Sequence, residues 1–146
     1  MEDLNINWMA LVVAAIVPMI IGFIWYNPKV FGIIWMRESG MTEEKARQMN
    51  PAKTYGLALV FAFILATAIW PQVMLGGGPG EEHGVAPFLT FKHGAFHGAL
   101  LGLLIVLPVF ATNALFEQKS FKYVAINVGY WIVTLSIMGG IINVWQ

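Results

Sequence analysis

The stretch FKHGAFHGALLGLL (91–104) carries the side chains in this chain with the clearest capacity for chemistry. His93 and His97 lie four residues apart, which puts both imidazoles on one face of a helix. Two imidazoles at this spacing can share one metal ion, whereas a structural interpretation makes His93 a polar helix end and His97 a hydrogen-bonding partner of another helix. The pattern lacks the catalytic glutamate of zinc proteases, so the structural interpretation is favoured. A metal would need further ligands, and the preceding loop offers three candidates: Glu81, Glu82 and His83.

Small residues recur every four positions on two of the apolar stretches. They form two stripes: Gly94, Gly98 and Gly102, and Ala58, Ala62 and Ala66. Such stripes let helix backbones approach closely, which is how membrane helices gain packing energy. The pattern therefore favours helix packing over a ligand-lined groove. The glycine stripe has two candidate partners, namely helix two of the same chain or another subunit.

The composition is typical of an integral membrane protein. Of 146 residues, 58% are hydrophobic and 11% are charged, whereas a soluble domain carries about 25% charged residues. The formal net charge is zero, which gives no argument for a nucleic-acid partner. The chain has no cysteine, so disulfides and thiolate ligands are excluded. No nucleophile–base arrangement or phosphate-binding glycine loop is present, and the sequence predicts a non-enzymatic protein without a cofactor.

Four uncharged apolar stretches predict four transmembrane helices, at residues 8–26, 55–75, 94–116 and 123–145. The shortest has 19 residues, and a helix of that length spans about 28 Å of a hydrocarbon core about 30 Å thick. The predicted fold is an all-α, up-and-down four-helix membrane bundle formed by a single domain, residues 1–146. Thr42 as N-cap predicts a short cytoplasmic helix between spans one and two, ended by Asn50-Pro51.

The loop charges predict the orientation of the spans. Residues 27–54 and 117–122 carry seven of the eight lysines and arginines, and the other side carries only Lys92. Since basic loops stay in the cytoplasm, both termini are expected outside. The acidic start Met1-Glu2-Asp3 lacks the basic region of a signal peptide, so the first span is expected to be retained.

Polar residues inside the predicted spans are few and uncharged. Asn113 and Asn127 fall at similar depth near the cytoplasmic ends of spans three and four, where they can pair. Asn143 and Gln72 lie at the outer level with His97, which predicts a small polar cavity facing outward. No Asp, Glu, Lys or Arg lies within a span, which argues against proton-coupled transport and ion pumping.

The run GFIWYNPKVFGIIWM (22–36) resembles the start of a bacterial family of small membrane proteins, catalogued as domain of unknown function 1761. Its centre holds two interfacial aromatic residues and a span-breaking pair: Trp25, Tyr26, Asn27 and Pro28. The resemblance continues through GMTEEKARQMNPAKTY (40–55), LPVFATNALFE (107–117) and GYWIVTLSIMGG (129–140). It implies a four-span protein of the bacterial cytoplasmic membrane and brings no established activity, substrate or catalytic residue.

The function favoured by the sequence is non-catalytic. The chain is expected to act in the lipid bilayer through helix-mediated association, as a homo-oligomer or as an accessory subunit of a larger membrane complex. One alternative is an oligomeric channel or carrier for a small neutral or apolar solute. The other is a metal- or haem-binding protein that uses His93 and His97.

Overall fold

The computed structural model describes residues 5–75 and 83–146, which are helical and contain no strand. The elements in chain order are α1 (Trp8–Trp25), α2 (Gly32–Ser39), α3 (Glu43–Arg47), α4 (Pro51–Met74), α5 (Phe91–Leu101), a π-helical turn (Gly102–Val106), α6 (Leu107–Phe116) and α7 (Phe121–Val144). Within this part of the chain, four helical runs are long and apolar enough to cross a membrane: α1, α4, α5 to α6, and α7. The predicted all-α fold with four membrane spans is confirmed.

Hydrogen bonds between helix ends give the relative direction of spans one and four. Asn7 Nδ2 donates to the carbonyl of Trp145 (2.7 Å), and Trp25 Nε1 donates to the carbonyl of Ile126 (3.0 Å). The start of α1 therefore lies beside the end of α7, and the two helices are antiparallel. The end with Asn7 and Trp145 also holds the histidines and is named the histidine end. The end with Trp25 and Ile126, which the lysine-rich loops join, is named the basic end.

The buried core lies between α1, α4 and α7. Its members are Leu11, Ala14 and Val17 from α1, Ala66, Ile69, Val73 and Met74 from α4, and Leu135, Met138 and Ile142 from α7. α7 is the central helix, because it packs against the other three spans. In its membrane-crossing window 56% of the residues are buried, against 11% in the span formed by α5 and α6. Span three is therefore peripheral and is attached mainly to α7.

A π-helical turn divides span three. The N–H of Leu107 donates to the carbonyl of Gly102, five residues back, just before Pro108, which has no N–H to donate. Gly102 at the start of this turn and Ala114 after it are both buried. On an unbroken α-helix these two residues would lie about 120° apart. Because a π turn takes up extra residues, it rotates the second half of the span so that both halves pack on α7.

Spans one and two are joined by two short helices, where the sequence predicts one. Thr42 begins α3 as expected, since its hydroxyl accepts the N–H of Lys45 (3.2 Å). Asn50-Pro51 begins α4 and does not end the preceding helix. The Asn50 side chain accepts the N–H of Lys53 (3.1 Å), and Pro51 occupies the first turn, where its missing N–H costs nothing. Span two consequently starts four residues earlier than its apolar composition predicts.

Candidate metal centre

Three histidines meet at the histidine end of the bundle. His93 and His97 lie on successive turns of α5, which begins where the Thr90 hydroxyl accepts the N–H of His93 (3.2 Å). His83 lies on the segment that leads into span three, and its ring contacts both of the others. These are all the histidines of the chain. The fold thus gathers every imidazole of the protein at one place.

The three imidazole rings form a nearly equilateral triangle. The centroid distances are 4.8 Å for His83 and His93, 4.6 Å for His83 and His97, and 4.6 Å for His93 and His97. His83 Nδ1 and His93 Nε2 are buried and have no hydrogen-bond partner. Buried polar atoms normally have a partner, because losing one costs about 1–3 kcal/mol. Two nitrogens of the cluster are therefore without the partner that buried polar atoms normally have.

The donor set fits a first-row transition-metal ion. Imidazole nitrogens suit Zn²⁺, Cu²⁺ and Ni²⁺, whereas Mg²⁺ and Ca²⁺ prefer oxygen ligands. One ligand atom from each histidine lies within 4.8 Å of the other two. Tetrahedral zinc with bonds of about 2.0–2.1 Å holds its nitrogens about 3.4 Å apart, and three imidazoles could supply three of its four ligands. Glu81 and Glu82, the other predicted ligand candidates, lie outside the described residues.

Backbone contacts fix the segment that carries His83. Gly84 has φ +75°, and a Cβ at this position would lie 2.7 Å from the carbonyl oxygen of Met74, at the end of α4. Both the left-handed conformation and the close contact require glycine. Farther along, the N–H of Phe88 donates to the carbonyl of Val85 (2.8 Å). His83 is therefore placed by a turn packed against the end of span two.

The two polar residues that the sequence places at the outer level with His97 differ in their burial. Asn143 is fully buried, and its Nδ2 donates to the carbonyls of Phe88 (2.7 Å) and Thr90 (2.8 Å). Gln72 is exposed on α4. Asn143 therefore bonds the segment that leads into α5, and Gln72 lies on the surface.

Both small-residue stripes pack inside the protomer. A Cβ at Gly94 would lie 2.1 Å from the carbonyl oxygen of Gly139, and one at Gly98 would lie 2.0 Å from that of Leu135. The glycine stripe thus contacts α7, whereas the sequence offered helix two or another subunit as its partner. The alanine stripe lies on α4, which contacts α1 and α7 and, less extensively, α5. Its members differ in burial: Ala62 and Ala66 are buried and Ala58 is half-buried.

Trp25 and Tyr26 join span one to span four at the basic end. Trp25 Nε1 donates to the carbonyl of Ile126, and the Tyr26 hydroxyl donates to Asn127 Oδ1 (2.9 Å). Asn127 therefore has its partner on α1. The predicted pair of Asn113 and Asn127 is not formed, because Asn113 is exposed on α6.

The next two residues of the motif turn the chain back toward α1. Asn27 Oδ1 accepts the N–H of Lys29 (3.0 Å), and the Asn27 carbonyl accepts the N–H of Gly32 (3.0 Å). A Cβ at Gly32 would clash with the Tyr26 carbonyl oxygen and with the backbone of Asn27, so only glycine fits there. Pro28 stands inside this turn, where its fixed φ favours the bend. Residues 25–28 therefore have a structural role: they attach the end of α1 to α7 and turn the chain into α2.

A carboxylate fixes α2 to the start of α7 at the same end. Ser120, the N-cap of α7, donates its hydroxyl hydrogen to Glu38 Oε2 (2.5 Å). This hydrogen bond, together with Arg37 and Lys122, holds the pKa of Glu38 below its usual value. A negative charge at a helix N-terminus is favourable. Glu38 therefore stabilises the packing of the loop helices on the central span.

A family model described as "Protein of unknown function (DUF1761)" matches residues 9–143. The chain belongs to this family. No curated protein and no solved structure matches the chain. The matched range includes all three histidines and the basic-end contacts. Since the DUF1761 description names no activity, the function has to be argued from the residues of this chain.

In this DUF1761 chain, sequence reasoning found part of the site and missed the helix that supports it. The spacing of His93 and His97 marked them as candidate ligands, while His83 was only one of three loop candidates. α7 was missed as the partner of the glycine stripe. The available signal was the pair Gly139-Gly140, where a Cβ at Gly140 would lie 2.5 Å from the ring of Phe91. Adjacent glycines in span four predict a close neighbour there.

Proposed function

We propose that this DUF1761 protein is a small multi-pass membrane protein that binds one transition-metal ion, with Zn²⁺ as the reference ion, through His83, His93 and His97. The observation that carries the proposal is the three-ring cluster, in which two buried nitrogens lack a hydrogen-bond partner. A bound ion would supply the missing partner for both. Metal binding requires neutral imidazoles, so the affinity falls as the solution becomes acidic.

The proposed site faces the outer side of the bacterial cytoplasmic membrane. Seven of the eight lysines and arginines lie at the basic end, in the connections between spans and in the adjoining first turns of α4 and α7, and only Lys92 lies at the histidine end. By the positive-inside rule the basic end is cytoplasmic and both termini are outside. The ion would therefore be taken from the outer aqueous phase.

The proposed role is one of binding without catalysis. An ion held by His83 and by the two histidines of α5 would tie the segment leading into span three to the first turns of that span. A haem is a poorer occupant than an ion. Its two axial imidazoles would have to lie on opposite faces of the macrocycle, whereas the rings of His93 and His97 are already in contact at 4.6 Å.

Helix-mediated association, as a homo-oligomer or as a subunit of a membrane complex, stays a prediction, as does a channel for a neutral solute. The small-residue stripes that suggested association are packed within the protomer, with Gly94 and Gly98 against α7. They therefore give no support to a contact between subunits, and the metal site is the better-supported function.

The test is a metal titration of the purified full chain in detergent. The chain has three histidines, so the affinity tag must contain none. After treatment with a chelator, Zn²⁺ is titrated by calorimetry, and Co²⁺ is used as a spectroscopic probe of coordination. We expect one ion per chain. His83→Ala, His93→Ala and His97→Ala should each weaken binding by more than the roughly 10- to 100-fold that outer-shell substitutions cost.

Lys92→Ala is the matched control, because it lies beside His93 on the same helical turn and changes a charge without removing a candidate ligand. It should leave the affinity within about twofold, since surface substitutions away from a site have small effects. The proposal is refuted if the wild type binds no Zn²⁺ or Co²⁺, or if His93→Ala binds either ion as the wild type does.

A further inference from the structure

Asn143 combines complete burial with an unusual division of its hydrogen bonds. Its side chain is 0% exposed in α7, and its Nδ2 donates to the carbonyls of Phe88 and Thr90 at 2.7 and 2.8 Å. Its Oδ1 is buried and has no partner. Burying this amide oxygen costs desolvation free energy that no hydrogen bond offsets. Any stabilisation by Asn143 therefore comes from the two hydrogen bonds that its Nδ2 donates.

The two carbonyls that Asn143 contacts already have backbone partners. The Phe88 carbonyl accepts the N–H of Thr90 (2.7 Å), and the Thr90 carbonyl accepts the N–H of Gly94 (3.2 Å). Asn143 is therefore not needed to satisfy either of them. Its effect is to hold the turn at these residues against α7, which is a constraint on position.

The turn held by Asn143 connects the ligands of the cluster. It lies between His83 and His93, and the Thr90 hydroxyl caps the N–H of His93 itself (3.2 Å). The ring of Phe88 also packs on His93, with centroids 5.3 Å apart. Moving this turn would change the position of His83 relative to the two imidazoles of α5.

The first turn of α5 lies very close to Asn143, because Gly94 has no side chain there. A Cβ at Gly94 would lie 2.5 Å from the Cβ of Asn143 and 2.1 Å from the carbonyl oxygen of Gly139. Only glycine at this position lets α5 come close enough for the amide to reach across to the turn. The glycine contact and the two hydrogen bonds thus act at the same place.

We propose that Asn143 is a positioning residue of the histidine cluster: its amide fixes the turn between His83 and His93 and so sets the distances among the three imidazoles. This inference rests on the proposed metal binding. Groups outside the ligand shell that orient the ligands typically change metal affinity by about 10- to 100-fold when removed. Asn143 would act through the backbone of the turn and not by contacting the ion.

The test compares Asn143→Asp and Asn143→Ser with the wild type and with Asn127→Ser. Asp keeps the size of the side chain and loses the two N–H donors, while Ser is too short to reach the turn. Asn127→Ser is the matched control, since Asn127 is also buried in α7, at the basic end. Each variant is checked for the elution profile of the wild type. Zn²⁺ affinity, the absorption spectrum with Co²⁺ and the metal-induced rise in Tm are then measured.

We expect both Asn143 variants to bind Zn²⁺ about 10- to 100-fold more weakly, with an altered Co²⁺ spectrum and a smaller metal-induced rise in Tm. Asn127→Ser should lower Tm and keep the wild-type affinity. A purely structural role for Asn143 would lower Tm equally with and without metal and leave the affinity unchanged, which overturns the inference while metal binding stands. Loss of the folded elution profile in both Asn143 variants would also overturn it, because the role would then be general. Absence of binding by the wild type would refute the proposed function itself.

Discussion

The contact between α5 and α7 should be unusually sensitive to one added methyl group. In Gly98→Ala the new Cβ would lie 2.0 Å from the carbonyl oxygen of Leu135 and 2.8 Å from the Cα of Ser136. Both neighbours are backbone atoms of a helix, so no side chain can rotate to make room. Ordinary contact begins near 3.4 Å, and close-packed helices would have to separate by about 1.4 Å to reach it.

The expected cost follows from that separation. Overpacking a well-packed interface typically costs about 1–3 kcal/mol, and the rigid backbone places Gly98→Ala at about 3 kcal/mol. Gly56→Ala is the matched control, because the same methyl group on α4 would meet nothing within 4 Å. Its only expected effect is a gain of up to about 1 kcal/mol from helix propensity. The two variants should therefore differ in free energy of unfolding by about 3–4 kcal/mol.

Reversible unfolding in mixed micelles, followed by circular dichroism, measures this difference. Gly98 lies one residue from His97, so Gly98→Ala should also weaken Zn²⁺ binding, whereas Gly56→Ala should leave it unchanged. If the two variants unfold within about 0.5 kcal/mol of each other, α5 does not pack on α7 through its glycines and the reasoning fails.

Two further predictions concern the basic end. The pKa of Glu38 is lowered chiefly by the Ser120 hydrogen bond and then by Arg37. The contribution of the Glu38 carboxylate to stability is therefore complete above the ordinary glutamate pKa of about 4.3. It is lost as the pH falls through the lower pKa of the folded state. The stability gap between the wild type and Glu38→Gln should accordingly be widest at neutral pH and shrink toward pH ~3 in unfolding titrations, and a gap independent of pH would contradict this account. Tyr26→Phe removes the donor to Asn127 Oδ1 and should cost about 1 kcal/mol in the same assay, and an unchanged free energy of unfolding would show that the bond contributes nothing.

The four spans can be predicted from the sequence, because the length of each apolar stretch is enough to identify it. The residues at which the helices begin and end are harder to predict. Asn50-Pro51 reads equally well as the end of one helix and the start of the next. The Asn50 side chain accepts the N–H of Lys53, which makes Asn50 the N-cap of the following helix. Pro108 predicts a missing backbone hydrogen bond in span three, because proline has no N–H. The π turn that accommodates this loss also depends on how Gly102 packs against Ile132 of α7. That information lies in the tertiary contact and not in the local sequence.

The candidate site shows the same division between local and non-local information. His93 and His97 are brought together by helical periodicity, so their proximity follows from the sequence. His83 joins them only because Gly84 turns the chain against the end of α4. Asn127 illustrates the converse error, since similar depth suggested Asn113 as its partner while the packing of α1 on α7 supplied Tyr26.

Span three is the peripheral span, so an ion bound by the histidine cluster would affect how firmly this span is attached. The fully buried core lies between α1, α4 and α7 and takes no residue from α5 or α6, while Leu101 and Val106 of span three pack against it and are only partly buried. Backbone contacts of Gly94 and Gly98 with α7 and the two bonds from Asn143 attach the half of span three that lies at the histidine end. That half also carries His93 and His97. An ion shared with His83 would join the segment that precedes α5 to this half, so metal occupancy would stabilise the histidine end of span three more than its basic end.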